Sequence, residues 1–108
     1  MIRLDLKAGP HWVDLIDGVR VKVRPLTTSL LMAAHAGKDA TDDVVESVAR
    51  VAEVAIVEWE GIGQQDSDDP PEITPETVRA LLEIPSVFAA FQAKVMRPWE
   101  GLADEKKG

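Results

Sequence analysis

The stretch best supplied with chemistry runs from Glu58 to Glu76, EWEGIGQQDSDDPPEITPE. Asp66, Asp68 and Asp69 put three carboxylates within four positions, a hard-oxygen cluster of the kind that holds a divalent cation. A calcium loop also needs a glycine at its bend and a closing glutamate at fixed offsets, and here both are misplaced. Gly61-Ile62-Gly63 has the backbone freedom of a phosphate loop. It lacks the third glycine of a dinucleotide fingerprint, it reads as following a helix rather than a strand, and no Gly-Lys-Ser/Thr comes after it. The pattern is that of a connector. Gly61 is expected to end a helix in the left-handed conformation, Asp66 to Pro71 to lie exposed, and Thr74 to begin the next helix.

The remaining reactive side chains do not assemble into a set. His11 and His35 fall in different elements, each without a second histidine or an aspartate at ligand spacing. Ser29, Ser47, Ser67 and Ser86 lack a nucleophile-elbow context. There is no cysteine, so disulfides, thiolate metal sites and thiol nucleophiles are all excluded. With 12 basic against 19 acidic residues and a net charge of −7, the surface repels nucleic-acid phosphates. The one basic row, Arg20, Lys22 and Arg24, reads as the wet face of a strand. The chain is read as non-enzymatic, with no catalytic, cofactor-binding or metal residue assigned.

The elements around these residues follow from periodicity. At 108 residues and 45% hydrophobic, residues 1–98 suit one domain with a modest core. In IRLDLK and VRVKVR apolar residues alternate with charged ones, which predicts strands over 2–7 and 19–24. Between them HWVDLI gives a strand over 11–16, and Asp17-Gly18 a hairpin turn. A two-residue turn would put Asp14 on the apolar face. A three-residue loop with Gly18 left-handed pairs Leu15 with Val19 and Val13 with Val21, and is preferred. Gly9-Pro10 makes the earlier turn of a three-stranded antiparallel meander.

From Pro25 the period changes. A helix is expected over 28–36, capped near Thr27 or Thr28 and stopped at Gly37. The longest, 41–60, has Thr41 as cap, Asp42 and Asp43 at its dipole-favoured start, and a stripe of Val44, Val48, Val51, Ala55 and Trp59 widened by Val45, Ala52 and Ile56. Glu46, Arg50 and Glu53 lie opposite. Helices over 75–84 and 86–97 follow, the latter with Val87, Phe88, Phe91 and Val95 inward and Pro98 ending it. Residues 99–108 are a polar tail. The fold class is α+β, an N-terminal three-stranded antiparallel meander packed on about four helices. No apolar run reaches membrane-span length, and the alternating start is not a signal peptide.

Four apolar residues stand outside this plan. Val54 and Val57 fall off the helix stripe. Trp12 should share a face with Asp14, away from the apolar side, and Trp99 follows Pro98 near the tail. Trp59, on the stripe, reads as core. Tryptophan is enriched at interfaces, so Trp12, Val54, Val57 and Trp99 are the candidate protein-interaction residues.

Several segments, in order, resemble small proteins from the tail modules of tailed phages, prophages and gene transfer agents: DGVRVKVRPLTT, AIVEWEGIG before an acidic turn, ITPETVRALLEIPSVFAAFQ and a closing EKKG. This family is described as tail assembly chaperones or tail accessory proteins. Its members often carry Gly-Asp where this chain has GQQDSDDPP. The resemblance implies a cytoplasmic chaperone in a bacterial host, without cofactor, nucleic acid or membrane. Its partners would be the tail tape-measure protein and the tail tube protein, with self-association also open. The alternatives are a structural virion component, such as a head–tail completion or tail-terminator subunit, and a regulatory or antitoxin-like module. Lys106-Lys107 adds a corollary, a frameshifted longer form, against the simpler reading of DEKKG as a solvated tail.

Overall fold

The computed structural model describes residues 1–4 and 6–97. The chain folds as an α+β domain, and the described residues hold a three-stranded antiparallel sheet and four helices. In order these are β1 His11–Ile16, β2 Val19–Val23, α1 Thr28–His35, α2 Val44–Ala55, β3 Ile56–Glu60, α3 Pro75–Leu82 and α4 Pro85–Phe91. A π-helical turn, Gln92–Met96, continues α4.

The sheet has the expected strand number but a different third strand. Residues 2–4, 6 and 7 form none, and Gly9-Pro10 leads into β1 without turning a meander. The third place is taken by β3, whose order in the sheet is β1-β2-β3. The expected helix over 41–60 is correspondingly shorter. It ends at Ala55, and the chain passes straight into β3 through Ile56, whose backbone is already extended at φ −76 and ψ 120. Two consecutive β-branched residues, Ile56 and Val57, favour that conformation. The backbone amide of Arg24 donates to Ala55 O at 2.9 Å, fastening the helix end to the strand leaving β2.

The hairpin register expected from facing holds at Val13↔Val21, and Gly18 is left-handed at φ +77. The loop is tighter than expected. Ile16, not Leu15, pairs with Val19, and the register shifts between Asp14 and Ile16. That bulge turns Leu15 inward, where it is buried, while Asp14 stays in water opposite Arg20.

Each face of the sheet now has one character. Leu15, Val21, Val23 and Trp59 point into the core, where Val87 and Phe91 of α4, Val78 of α3 and Val51 of α2 are also fully enclosed. Removing a side chain such as Leu15 or Phe91 from water contributes about 1.5–3 kcal/mol. On the outer face Arg20 pairs with Glu60 and Lys22 with Glu58, at 3.5 and 3.7 Å. The Arg20–Glu60 contact is an ion pair without hydrogen-bond geometry at Nε. Arg20 also stacks over the Trp12 ring, 4.3 Å from its centroid. The basic row is thus the wet face of β2, matched by the acidic wet face of β3.

The helix caps are local. Thr27 caps α1, accepting from the amide of Leu30 at 3.1 Å. For α2 the cap is Asp43 rather than Thr41. Its carboxylate accepts from the amides of Val45 and Glu46, while Thr41 Oγ1 accepts from Asp43 N one step upstream. Thr74 caps α3 with Pro75 at the first helical position, and Thr77 returns the favour by accepting from Thr74 N at 2.8 Å. Pro85 opens α4 behind Ile84.

Candidate functional site

Three regions invite a functional reading: the acidic turn, a charged cluster between helices, and an apolar groove.

The acidic turn is positioned by close packing at its two ends. Gly61 follows β3, not a helix, so it does not act as the expected helix cap. Its left-handed φ of +79 serves a tighter purpose. A Cβ there would lie 1.7 Å from Gly18 O, because Gly61 stacks on the β1–β2 turn. At the far end the Trp59 indole donates to Pro71 O at 3.1 Å, and Thr77 Oγ1 to Glu72 O at 2.7 Å. In between, Gln64 and Ser67 pair through their backbones, and Ser67 Oγ accepts from Asp69 N. Asp66, Asp68 and Asp69 are exposed. Among the described residues no group of three His, Asp or Glu side chains converges in a way that would hold a metal ion.

The charged cluster occupies a surface that periodicity assigned to solvent. Glu46, Arg50 and Glu53 of α2 are covered by the end of α1, by the 36–43 connection and by α3. Arg79 of α3 clamps both glutamates, with Nη1 and Nη2 on the two oxygens of Glu46 at 2.9 and 2.8 Å and Nε on Glu53 at 2.6 Å. Arg50, buried, donates to Glu46 Oε2 at 2.9 Å and to Asp39 O at 2.8 Å, and lies 3.4 Å from His35 Nδ1. Lys38 reaches Glu53 at 3.6 Å. The bidentate hydrogen bonds from Arg79 hold the Glu46 carboxyl at about 2, below its ordinary 4.5, against an opposing effect of burial and with help from Arg50. Arg79 is pushed further above its already high value by the same two carboxylates. Each charge here is matched by a neighbour, so the cluster acts as a clamp between helices. His11 is exposed at the start of β1.

The groove is an apolar concavity of the described surface. It has a volume of about 540 Å³ and lies where the chain entering β1, the exit from β2, α1 and the last turn of α2 meet. Pro10, Pro25, Leu30, Ala33 and Val54 line it, with Arg24 at its rim. Met32 on the same helix as Leu30 and Ala33 is 71% exposed.

The candidate interaction residues are distributed unevenly over this geometry. Val54 is in the groove, half-buried with its inner side against the core. Val57 is half-buried at the β3 bulge, on a strand rather than the helix assigned to it, where the β2–β3 register shifts. Trp12 lies on the outer sheet face with Asp14, as expected, its ring covered by Arg20. Trp99, the tail 99–108 and Pro98 lie outside the described residues. Val54, Val57 and Trp12 therefore belong to three separate places. Sequence reasoning missed Pro10 and Pro25 as companions of Val54, because a groove between non-consecutive elements leaves no periodic mark. It also left Val44 and Val45 in the core stripe, whereas both are exposed on the first turn of α2.

Among the described residues no helix is long and apolar enough to cross a membrane. No family model matches the chain, and neither a curated protein nor a solved structure matches it.

Proposed function

We propose that this protein is a tail-assembly-chaperone-like binding protein of a phage, prophage or gene transfer agent. It would act in the bacterial host cytoplasm on the tail tape-measure protein or another tail component. The sequence resemblance supplies the class of partner. The observation that carries the physical side is the groove of about 540 Å³ lined by Pro10, Pro25, Leu30, Ala33 and Val54. A tape-measure protein presents long apolar helical faces before the tail tube encloses it. An open apolar groove can accept a few side chains from one turn of such a helix, spaced i, i+3 and i+4. The net charge of −7 keeps the loaded complex apart from its neighbours in solution. One groove is a weak site, and many copies along one long helix make the binding effective.

The test is co-expression with the long helical protein encoded beside this one. Wild type is expected to co-purify with it and to raise its soluble yield. Val54→Asp puts a charge in the groove and should abolish both effects, while Asp66→Asn, outside the groove, should not. If wild type neither co-purifies nor improves solubility, the chaperone reading is wrong. If Val54→Asp binds as wild type does, the groove is not the surface used.

A further inference from the structure

We propose that residues Ile2–Leu6 of one copy add as an edge strand to β3 of a second copy, so that the protein self-associates by strand addition. This does not depend on the tail-protein reading. Three observations carry it.

The first is a strand pattern that has no strand to join. Ile2, Leu4 and Leu6 alternate with Arg3, Asp5 and Lys7, and yet Ile2, Leu4 and Leu6 are 63%, 81% and 91% exposed. Alternating residues of this kind are stable when one face is covered. The second is the inequality of the two sheet edges. β1 packs against α4 and the π-helical turn, and Lys94 Nζ donates to the carbonyls of Asp14 and Leu15 at 2.7 and 3.3 Å. That edge is therefore taken at the bulge. The β3 edge has a sheet neighbour on one side only. An unpaired edge is a template for a strand from another chain.

The third is charge register. The outer face of β3 carries Glu58 and Glu60, each already beside a basic residue of β2 and each with more than half its side chain in water. A basic residue on the open side would give each glutamate a second partner. With Arg3 opposite Glu58, parallel pairing brings Asp5 against Glu60. Antiparallel pairing with Arg3 opposite Glu58 avoids this, since Asp5 then falls opposite Ile56, beyond the bulge. In that register Ile2 lies opposite Trp59, so the apolar side of the added strand continues the inner face of the sheet. The glutamates of β3 repel any acidic strand, which makes the edge selective rather than generally adhesive.

The experiment is sedimentation velocity on the full chain from low to high micromolar concentration, with circular dichroism to confirm the fold of each variant. Wild type is expected to associate as concentration rises. Leu4→Asp changes only an exposed side chain and should raise the dissociation constant at least about tenfold. Glu58→Arg should weaken association similarly, and Arg3→Glu combined with Glu58→Arg should recover it. A wild type that stays monomeric throughout overturns the proposal. So does association that Leu4→Asp leaves unchanged, or a double charge reversal that recovers nothing.

Discussion

Ile2–Lys7 and Ile56–Glu60 have exchanged the roles that their sequences suggest. The first alternates apolar and charged residues without a fault and, among its described residues, forms no strand; the second continues the stripe of a long amphipathic helix and becomes the third strand of the sheet. Neither outcome follows from propensity alone. A strand exists only where an edge will pair with it. Beside β1 the carbonyls at the bulge are taken by Lys94. Beside β2 the edge is free, the Ile56–Val57 pair leaves the helix readily, and Glu58 and Glu60 meet Lys22 and Arg20 across the strands. In hindsight VEWE also has a period of two, with Val57 and Trp59 against Glu58 and Glu60. Over so few residues it is compatible with the end of a helix as well.

The contrast can be tested most severely at Trp59. As a buried β3 residue whose indole holds Pro71, it should cost about 3–5 kcal/mol when replaced by alanine. Leu4→Ala, an apolar truncation in the segment with the cleaner strand pattern, should stay within about 0.5 kcal/mol in dilute solution. Urea denaturation of both variants measures the difference, and equal losses would mean that the two segments are equally structured.

Gly61→Ala comes next. The left-handed backbone costs alanine about 1–3 kcal/mol. The clash with Gly18 O must add to this, since both atoms belong to backbone that is held by the sheet. Gly37→Ala is the control, with the same sign of φ and nothing within 4 Å. A melting temperature lowered equally by both would show that β3 does not bring Gly61 onto the hairpin turn.

A smaller effect should appear with pH, in the clamp that joins α2 to α3 just before the chain turns into β3. The Glu46 carboxyl lies at about 2 in the folded chain against 4.5 ordinarily. A group lowered by folding stabilises the fold above its unfolded value, and that stabilisation is lost as pH falls from about 4.5 toward 2. Glu46→Gln should therefore melt below wild type at pH 6, and the gap should narrow through this window. A gap that is constant with pH would mean that Arg79 does not hold the carboxylate in solution. The effect is modest because the pair is partly in water.

The smallest expected change is at Asp66, Asp68 and Asp69. All three exposed carboxylates can be replaced by asparagine with a stability change within about 0.5 kcal/mol. If magnesium or calcium raised the melting temperature of wild type but not of that variant, the connector reading would fail.

What the sequence determined by itself is whatever depends on neighbours along the chain. Gly18 had to be left-handed because Asp17-Gly18 joins two alternating runs, and Val13↔Val21 followed from keeping Asp14 out of the core. Thr74 was legible as a cap, and Thr27 as one of two neighbouring candidates, because an N-cap bonds to amides two or three residues ahead. Val87, Phe91 and Val95 were legible as the inner side of a helix by their spacing. Tertiary structure decided the matters in which two distant segments compete for one surface. The third strand came from Ile56–Glu60, beyond α1 and α2, rather than from the segment before β1. Whether Glu46, Arg50 and Glu53 face water depended on Arg79 arriving from another helix, and whether Val54 lines a groove depended on Pro10 and Pro25 arriving from either end of the hairpin. Periodicity reports which side of an element is apolar, and it is silent about what the polar side will meet. That is fixed only when the pieces pack and each edge, charge and concave surface either finds a partner or is left open.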